Sequence, residues 1–110
     1  MNVSLQINPG IGHEYSAEVM ISGNSLFKGK ISVDHQEVIY LGELKNLRDS
    51  KLDVIIHAVR IDLSTYPQIE YRIIYGEEIV EQKLLRSEDK YEIPSIFHIK
   101  FKFCPRPPFC

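Results

Sequence analysis

The chain lacks the features that would place it in a disulfide-stabilised or membrane-spanning class. It has 110 residues and no tryptophan, and its two cysteines, Cys104 and Cys110, both lie at the carboxyl-terminal end. A disulfide framework is therefore absent from the rest of the chain, so stability must come from packing. Whether the two cysteines form a disulfide is left open. No apolar run approaches the ~20 residues of a membrane-spanning helix, and the amino terminus lacks the pattern of a signal peptide. We expect a soluble, cytoplasmic protein.

Residues that carry catalytic or metal chemistry are present without the spacing that such chemistry needs. Gly10-Ile11-Gly12 lacks the third glycine and the lysine of a phosphate-binding loop, and no serine lies in a Gly-x-Ser-x-Gly elbow. No two histidines have the spacing of metal ligands, and we expect His57 to be a hydrogen-bonded core residue. The sequence predicts no enzyme, no cofactor and no metal site. The four histidines are His13, His35, His57 and His98.

Charge also limits the classes of partner. The formal net charge is −2, so the chain as a whole is not attracted to nucleic acid or to an anionic membrane. One segment, residues 97–103, alternates apolar and basic side chains throughout. On a β-strand its phenylalanines would face the core and its lysines the solvent, so the bases of a nucleic acid would find no aromatic platform. We expect this basic ridge to guard a sheet edge against aggregation.

Similar alternation recurs along the whole chain and predicts an all-β fold. Val3, Leu5 and Ile7 alternate with polar residues, and a turn at residues 23–25 separates two alternating runs in the manner of a β-hairpin. The sequence predicts one domain over residues 1–103, an antiparallel β-sandwich of about seven or eight strands, followed by a proline-rich tail over 104–110. The alternatives are an open β-barrel, or an α+β fold with one short helix near residues 77–85.

Three segments have patterns that allow more than one interpretation. Residues 38–44 are more uniformly apolar than the alternating segments and are compatible with a strand buried on both faces, although their periodicity alone does not decide this, and a polar linker over 45–51 follows. Residues 52–63 favour a strand over a helix, and residues 77–85 narrowly favour a strand. For the segment 52–63, the face expected to be buried comprises Ile55, His57, Val59, Ile61 and Leu63.

These patterns together predict a hydrophobic core formed by alternate side chains of most strands. The predicted core residues are Leu5, Ile7, Val19, Ile21, Ile31, Val33, Ile55, Val59, Ile61, Tyr71, Ile73, Phe97, Ile99 and Phe101.

A small β-sandwich without catalytic residues works most often through its surface. We expect a non-catalytic protein-binding module, such as a dedicated inhibitor, immunity or adaptor protein, whose partner is another protein and whose interacting face the sequence does not identify. The alternative is a structural or assembly component that forms homo-oligomers, and a small-ligand binder or enzyme is less favoured. Tyrosine is enriched at the centres of interfaces. The candidate anchors are Tyr15, Tyr40, Tyr66, Tyr75 and Tyr91.

Overall fold

A computed structural model describes residues 1–32, 36–62, 64–87 and 95–103. This part of the chain contains eight β-strands and one four-residue helix. In chain order the elements are β1 (Asn2–Pro9), β2 (His13–Ile21), β3 (Asn24–Ile31), β4 (Glu37–Glu43), α1 (Leu44–Leu47), β5 (Lys51–Arg60), β6 (Gln68–Tyr75), β7 (Glu78–Arg86) and β8 (Ser95–Lys102).

The strands form two antiparallel four-stranded sheets that pack together as a sandwich. The first sheet has the order β4-β1-β6-β7 and the second the order β3-β2-β5-β8. Only the pairs β2–β3 and β6–β7 are both consecutive in the chain and adjacent in a sheet, so the other described connections pass from one sheet to the other. The predicted all-β sandwich is confirmed. The proline-rich segment 104–110, with both cysteines, lies outside the described residues.

Alternation of apolar and polar side chains explains the central strands of the first sheet. In β1, Val3, Leu5 and Ile7 are fully buried, while the residues between them face outward and are half-buried. In β6 the buried positions fall on every second residue from Ile69 to Tyr75. Because successive side chains of a strand point to opposite faces, this spacing turns one apolar face of each strand toward the second sheet.

Two hairpins follow from local turn chemistry. Between β2 and β3, Ser22 and Gly23 have φ angles of 46° and 87°, the left-handed backbone of the tight turn that suits the twist of a hairpin. Between β6 and β7 the chain turns at Gly76, whose φ angle is 64°. The segment after this turn is the strand β7 rather than a helix, as the sequence narrowly favoured.

The predicted buried face of β5 is wrong, although the strand itself is confirmed. Val59 and Ile61 are 42% and 61% exposed, His57 is exposed, and Ile55 is half-buried. Leu63 lies outside the described residues. The outer face carries Lys51, Asp53 and His57, so the polar residues of the strand mark its outer side. The prediction was based on residues 55–63, where Ile55, Val59 and Ile61 are apolar, and did not use Lys51 and Asp53. The face turned to the core comprises Leu52, Val54, Ile56 and Ala58.

The prediction that residues 38–44 are buried on both faces is also wrong. The strand β4 lies at an edge of the first sheet and has one buried face, formed by Ile39 and Leu41. On its other face Val38 is 54% exposed and Tyr40 58% exposed. The expected polar linker that follows contains the short helix α1, whose Leu47 is buried against the core.

The remaining core prediction is largely confirmed, with corrections at its ends. Ile21 and Phe101 are half-buried rather than buried, and Val33 lies outside the described residues. Phe103, which the prediction omitted, is fully buried and packs edge-on against Phe101, with ring centroids 5.4 Å apart. The predicted residues that are buried in the core are Leu5, Ile7, Val19, Ile31, Tyr71, Ile73, Phe97 and Ile99.

The two adjacent isoleucines of β5 test which face is buried. Ile56 is 0% exposed, so Ile56→Ala should lower the free energy of unfolding by about 2 to 5 kcal/mol, as typical for a fully buried aliphatic side chain. Ile55→Ala removes the same atoms from the half-buried outer face and should cost less than half as much. Urea unfolding of both variants measures the difference. Equal losses would contradict the assigned face.

Candidate binding surfaces

The described residues contain no group of side chains suited to bind a metal ion, and no histidine among them belongs to such a group. Across residues 1–32, 36–62, 64–87 and 95–103, no three His, Cys, Asp or Glu side chains are grouped so that they could hold a metal ion. In the same ranges no helix is long and apolar enough to cross a membrane. His57 is exposed, His98 lies near Asp53 on the surface, and His35 falls outside the described residues.

The buried histidine is His13, not His57. His13 begins β2 and is 5% exposed. Its Nδ1 accepts a hydrogen bond from the backbone N–H of Ile61 at 3.2 Å, and its Nε2 lies 2.8 Å from Oγ1 of Thr65. Because Nδ1 accepts, these bonds place a proton on Nε2, which donates to Thr65. His13 therefore ties the start of β2 to the connection between β5 and β6, which is a structural role.

Most of the tyrosines proposed as interface anchors are used in packing. Tyr15 and Tyr75 are 2% and 4% exposed, and Tyr66 is half-buried beneath the guanidinium of Arg86, 5.2 Å from its ring centroid. Tyr91 lies outside the described residues. Among the described candidates, Tyr40 alone exposes more than half of its side chain. The anchor prediction therefore rests on Tyr40.

Two buried tyrosines form hydrogen bonds through their hydroxyl groups in the interior of the sandwich. The Tyr15 hydroxyl, from the second sheet, donates to the carbonyl of Gln68 in the first sheet at 3.0 Å and accepts from the Gln68 N–H at 3.1 Å. Burial raises the pKa of Tyr15, while hydrogen bonds from the backbone act in the opposite direction.

The Tyr71 hydroxyl donates to Oε2 of Glu81 at 2.9 Å. Burial, with the adjacent Glu81 carboxylate, raises the pKa of Tyr71 well above its usual range.

On the outer face of the first sheet, one row across the four strands has apolar side chains on three of them. Tyr40 of β4 pairs with Ser4, Ser4 pairs with Ile74, and Ile74 pairs with Ile79 of β7. Tyr40 and Ile79 are 58% and 47% exposed, and Ile74 is half-buried. Ser4 of β1 lies between Tyr40 and Ile74 in this row. We call the surface formed by Val38, Tyr40, Ser4, Ile74 and Ile79 the Tyr40 face.

The four strands at sheet edges differ in their protection against pairing with another chain. Three of them carry charged side chains that disfavour such pairing: Lys28 and Lys30 on β3, Lys100 and Lys102 on β8, and, at inward positions of β7, Glu81 and Lys83. The strand β4 has one inward charge, Glu37 opposite the buried Ile7, and no lysine, arginine or proline between Glu37 and Glu43. Within the described residues its ladder pairs with β1 alone.

The outer face of the second sheet is charged and contains shallow grooves. Here Lys28 pairs with Glu18 across the strands, with Nζ and Oε2 3.6 Å apart, and Lys100 lies opposite Asp53. The predicted position of the basic strand, at a sheet edge with its lysines exposed, is confirmed for β8. A groove of about 380 Å³ lies between Lys28 and His57, and another of about 450 Å³ lies over the ladder between β5 and β8.

One end of the sandwich exposes two isoleucines, Ile61, which was predicted to lie in the core, and Ile11, which the sequence patterns did not single out. Ile11, in the turn after β1, is 79% exposed, and Ile61, directly after β5, is 61% exposed. A groove of about 310 Å³ beside Ile11 is lined by Tyr66 and Arg86. Exposed apolar residues scattered singly are common on protein surfaces, so these two isoleucines are weaker evidence of a binding surface than the Tyr40 face.

The Tyr71–Glu81 pair predicts a loss of stability at alkaline pH. Since the folded chain holds the Tyr71 proton more tightly than the unfolded chain, its contribution is complete below pH 10 and is lost as pH rises above it. For one such group the loss is about 1.4 kcal/mol per pH unit. Urea unfolding between neutral and strongly alkaline pH should show a shallower decline for Tyr71→Phe than for the wild type. The exposed control, Tyr40→Phe, should keep the wild-type slope, and equal slopes in all three proteins would contradict the assignment.

Comparison of the chain with protein-family models, with curated proteins and with solved structures finds no match.

Proposed function

We propose that this protein is a non-catalytic binding module, a dedicated inhibitor, immunity or adaptor protein, that receives an extended segment of a partner protein along the edge of β4. The observation that supports this most directly is the exposure of Val38 and Tyr40, 54% and 58%, on an edge strand without a basic residue or proline. An exposed apolar edge of this kind favours aggregation unless a partner covers it.

Addition of a strand to β4 would use both the backbone and the side chains. An extended segment beside β4 pairs with the N–H and C=O groups that no described strand uses, and alternate side chains of that segment lie against Val38 and Tyr40. From Tyr40 the apolar row continues to Ile74 in the centre of the sheet. A partner can therefore pair with the edge and also cover part of the adjoining face.

Charge indicates what the partner segment contains. Glu37 and Glu43 lie at the two ends of β4. Glu43 is already paired with Lys45, with Nζ and Oε2 3.2 Å apart, whereas no described residue forms an ion pair with Glu37. The complementary segment has apolar residues at its centre and a basic residue opposite Glu37, since opposite charges across a strand pair are favourable and like charges are not.

A second copy of the chain is the alternative occupant, and it corresponds to a homo-oligomeric assembly protein. If two β4 strands pair antiparallel about Ile39, Val38 of each copy lies opposite Tyr40 of the other, a favourable combination of aromatic and β-branched side chains. If they pair about Tyr40 instead, Glu37 lies opposite Glu43 twice, which is unfavourable. Of these two registers self-association favours the first, which gives a closed dimer.

Peptide selection tests the partner proposal. Extended peptides selected from a displayed library on the wild-type protein should protect β4 amides from hydrogen exchange. Tyr40→Lys should weaken their binding more than tenfold, the loss typical of a central interface residue. Leu84→Lys is the matched control, because Leu84 is 60% exposed on β7 at the opposite edge of the same sheet.

These measurements distinguish a segment of a partner protein from a second copy of the chain at the β4 edge. Binding lost in Tyr40→Lys and retained in Leu84→Lys supports the partner proposal. Binding that is unchanged in Tyr40→Lys, or selected peptides that leave β4 unprotected, would contradict it. Light scattering of the wild type then decides the alternative, since a dimer that Val38→Lys converts to a monomer would assign the β4 edge to self-association.

A further inference from the structure

We infer that the end of the sandwich beside the turn after β1 is a binding site for the carboxylate group of a small organic acid. The site is the groove of about 310 Å³ at that end, and its cation is Arg86, at the end of β7. The strand β7 lies at the opposite edge of the first sheet from β4. The inference therefore goes beyond the function proposed for β4 and does not depend on it.

The Tyr66 ring fixes the guanidinium of Arg86 at the rim of the groove. The guanidinium lies over this half-buried ring, with its Cζ 5.2 Å from the ring centroid. Stacking of this kind holds the planar group without using its N–H donors, because these lie in its plane. Within the described ranges no carboxylate forms an ion pair with Arg86. The guanidinium is thus held in position with its donors available to a ligand.

Two uncharged donors line the same groove as Arg86. Gln68 lies directly opposite Arg86 in the ladder between β6 and β7, so their Cβ atoms are about 5 Å apart. The hydrogen bonds of Gln68 to Tyr15 and Gly10 use its backbone groups and leave its side-chain amide for a ligand. The Thr65 hydroxyl accepts from Nε2 of His13, so its own hydrogen is turned away from the histidine. A carboxylate in the groove therefore has donors besides the guanidinium.

The charge of the groove fits a carboxylate better than a phosphate dianion. Among the described residues that line it, Arg86 alone is charged. Two carboxylates near this end of the chain are engaged elsewhere. Glu70, diagonal to Arg86 in the ladder, lies 3.2 Å from Nη2 of Arg72, and Asp62 accepts from the N–H and the hydroxyl of Ser64. One guanidinium matches a planar, singly charged carboxylate, to which it can donate two parallel hydrogen bonds.

An apolar side chain in the groove indicates what the rest of the acid contains. Ile11 lines the groove and is 79% exposed. The turn that presents it is bound to the main chain on both sides, because the Gly10 N–H donates to the Gln68 carbonyl and the Gly12 carbonyl accepts from the Asp62 N–H, each at 2.8 Å. A volume of about 310 Å³ is at the lower end of the range for ligand sites. The ligand is therefore a small acid whose apolar or aromatic group covers Ile11.

Titration with benzoate, at constant ionic strength adjusted with sodium chloride, tests the inference, and benzamide is the matched neutral probe. In amide NMR spectra of the full chain, residues 10–12, 64–68 and 86 should shift saturably with benzoate. Benzamide keeps the ring but lacks the charge, so it should bind at least tenfold more weakly, as the loss of a charged hydrogen bond implies. Acetate keeps the charge but lacks the ring and should also bind more weakly than benzoate.

Variants of the chain separate the charge from the apolar contact. Arg86→Gln should weaken benzoate binding at least tenfold, since it removes the guanidinium. Ile11→Ser should weaken the binding of benzoate and leave that of acetate unchanged. The control is Arg48→Gln, which removes the same charge from an exposed residue after α1, at the opposite end of the first sheet, and should leave binding unchanged.

Three results would each overturn the inference. The first is a set of shifts that grow linearly with benzoate and do not saturate. The second is benzamide or inorganic phosphate that binds as tightly as benzoate. The third is a loss in Arg48→Gln as large as that in Arg86→Gln, which would show that the net charge of the chain, and not the groove, attracts the anion.

Discussion

Burial of every second side chain between the two sheets is the constraint on which the other features of this structure depend. Once Val3, Leu5 and Ile7 of β1 are buried, Ser4 and Gln6 must face outward, and the register with β4 and β6 then fixes their neighbours on the outer face. The same logic places the lysines of β8 outside because Phe97 and Ile99 are inside. The outer faces of the two sheets are therefore consequences of core packing.

Two open sheets also leave four strand edges, and these edges are not equivalent. Lysines on β3 and β8 and the inward charges of β7 all raise the cost of pairing with another chain. The strand β4 has an inward charge of the same kind at Glu37, opposite the buried Ile7, but it has no lysine and it exposes Val38 and Tyr40 on its outer face. The core does not require these two exposed apolar side chains, since a lysine at position 38 would leave the buried Ile39 and Leu41 in place. Binding provides the simpler reason.

Local pattern predicted those elements in which only one face is apolar. The strand β6 and the hairpin at Gly23 belong to this group, because each contains its own alternation or turn signal. The buried face of β5 was predicted wrongly, since Ile55 and Ile56 are equally apolar and the prediction did not use Lys51 and Asp53, which lie on the same face as Ile55 and mark it as the outer one. The edge position of β4, in contrast, is a property of the whole sheet. For this reason the sequence identified Tyr40 only as one tyrosine among several.

The outer face of β4 has a physical property that alternation alone does not reveal. Val38 and Tyr40 are exposed on an edge strand, where apolar side chains favour association with another chain. The outer face of the second sheet instead carries opposite charges, such as the Lys28–Glu18 pair. Natural sequences are mostly locally consistent, and departures from that consistency are expected at sites where a partner relieves them. The β4 edge is therefore the surface at which the proposed function is best tested.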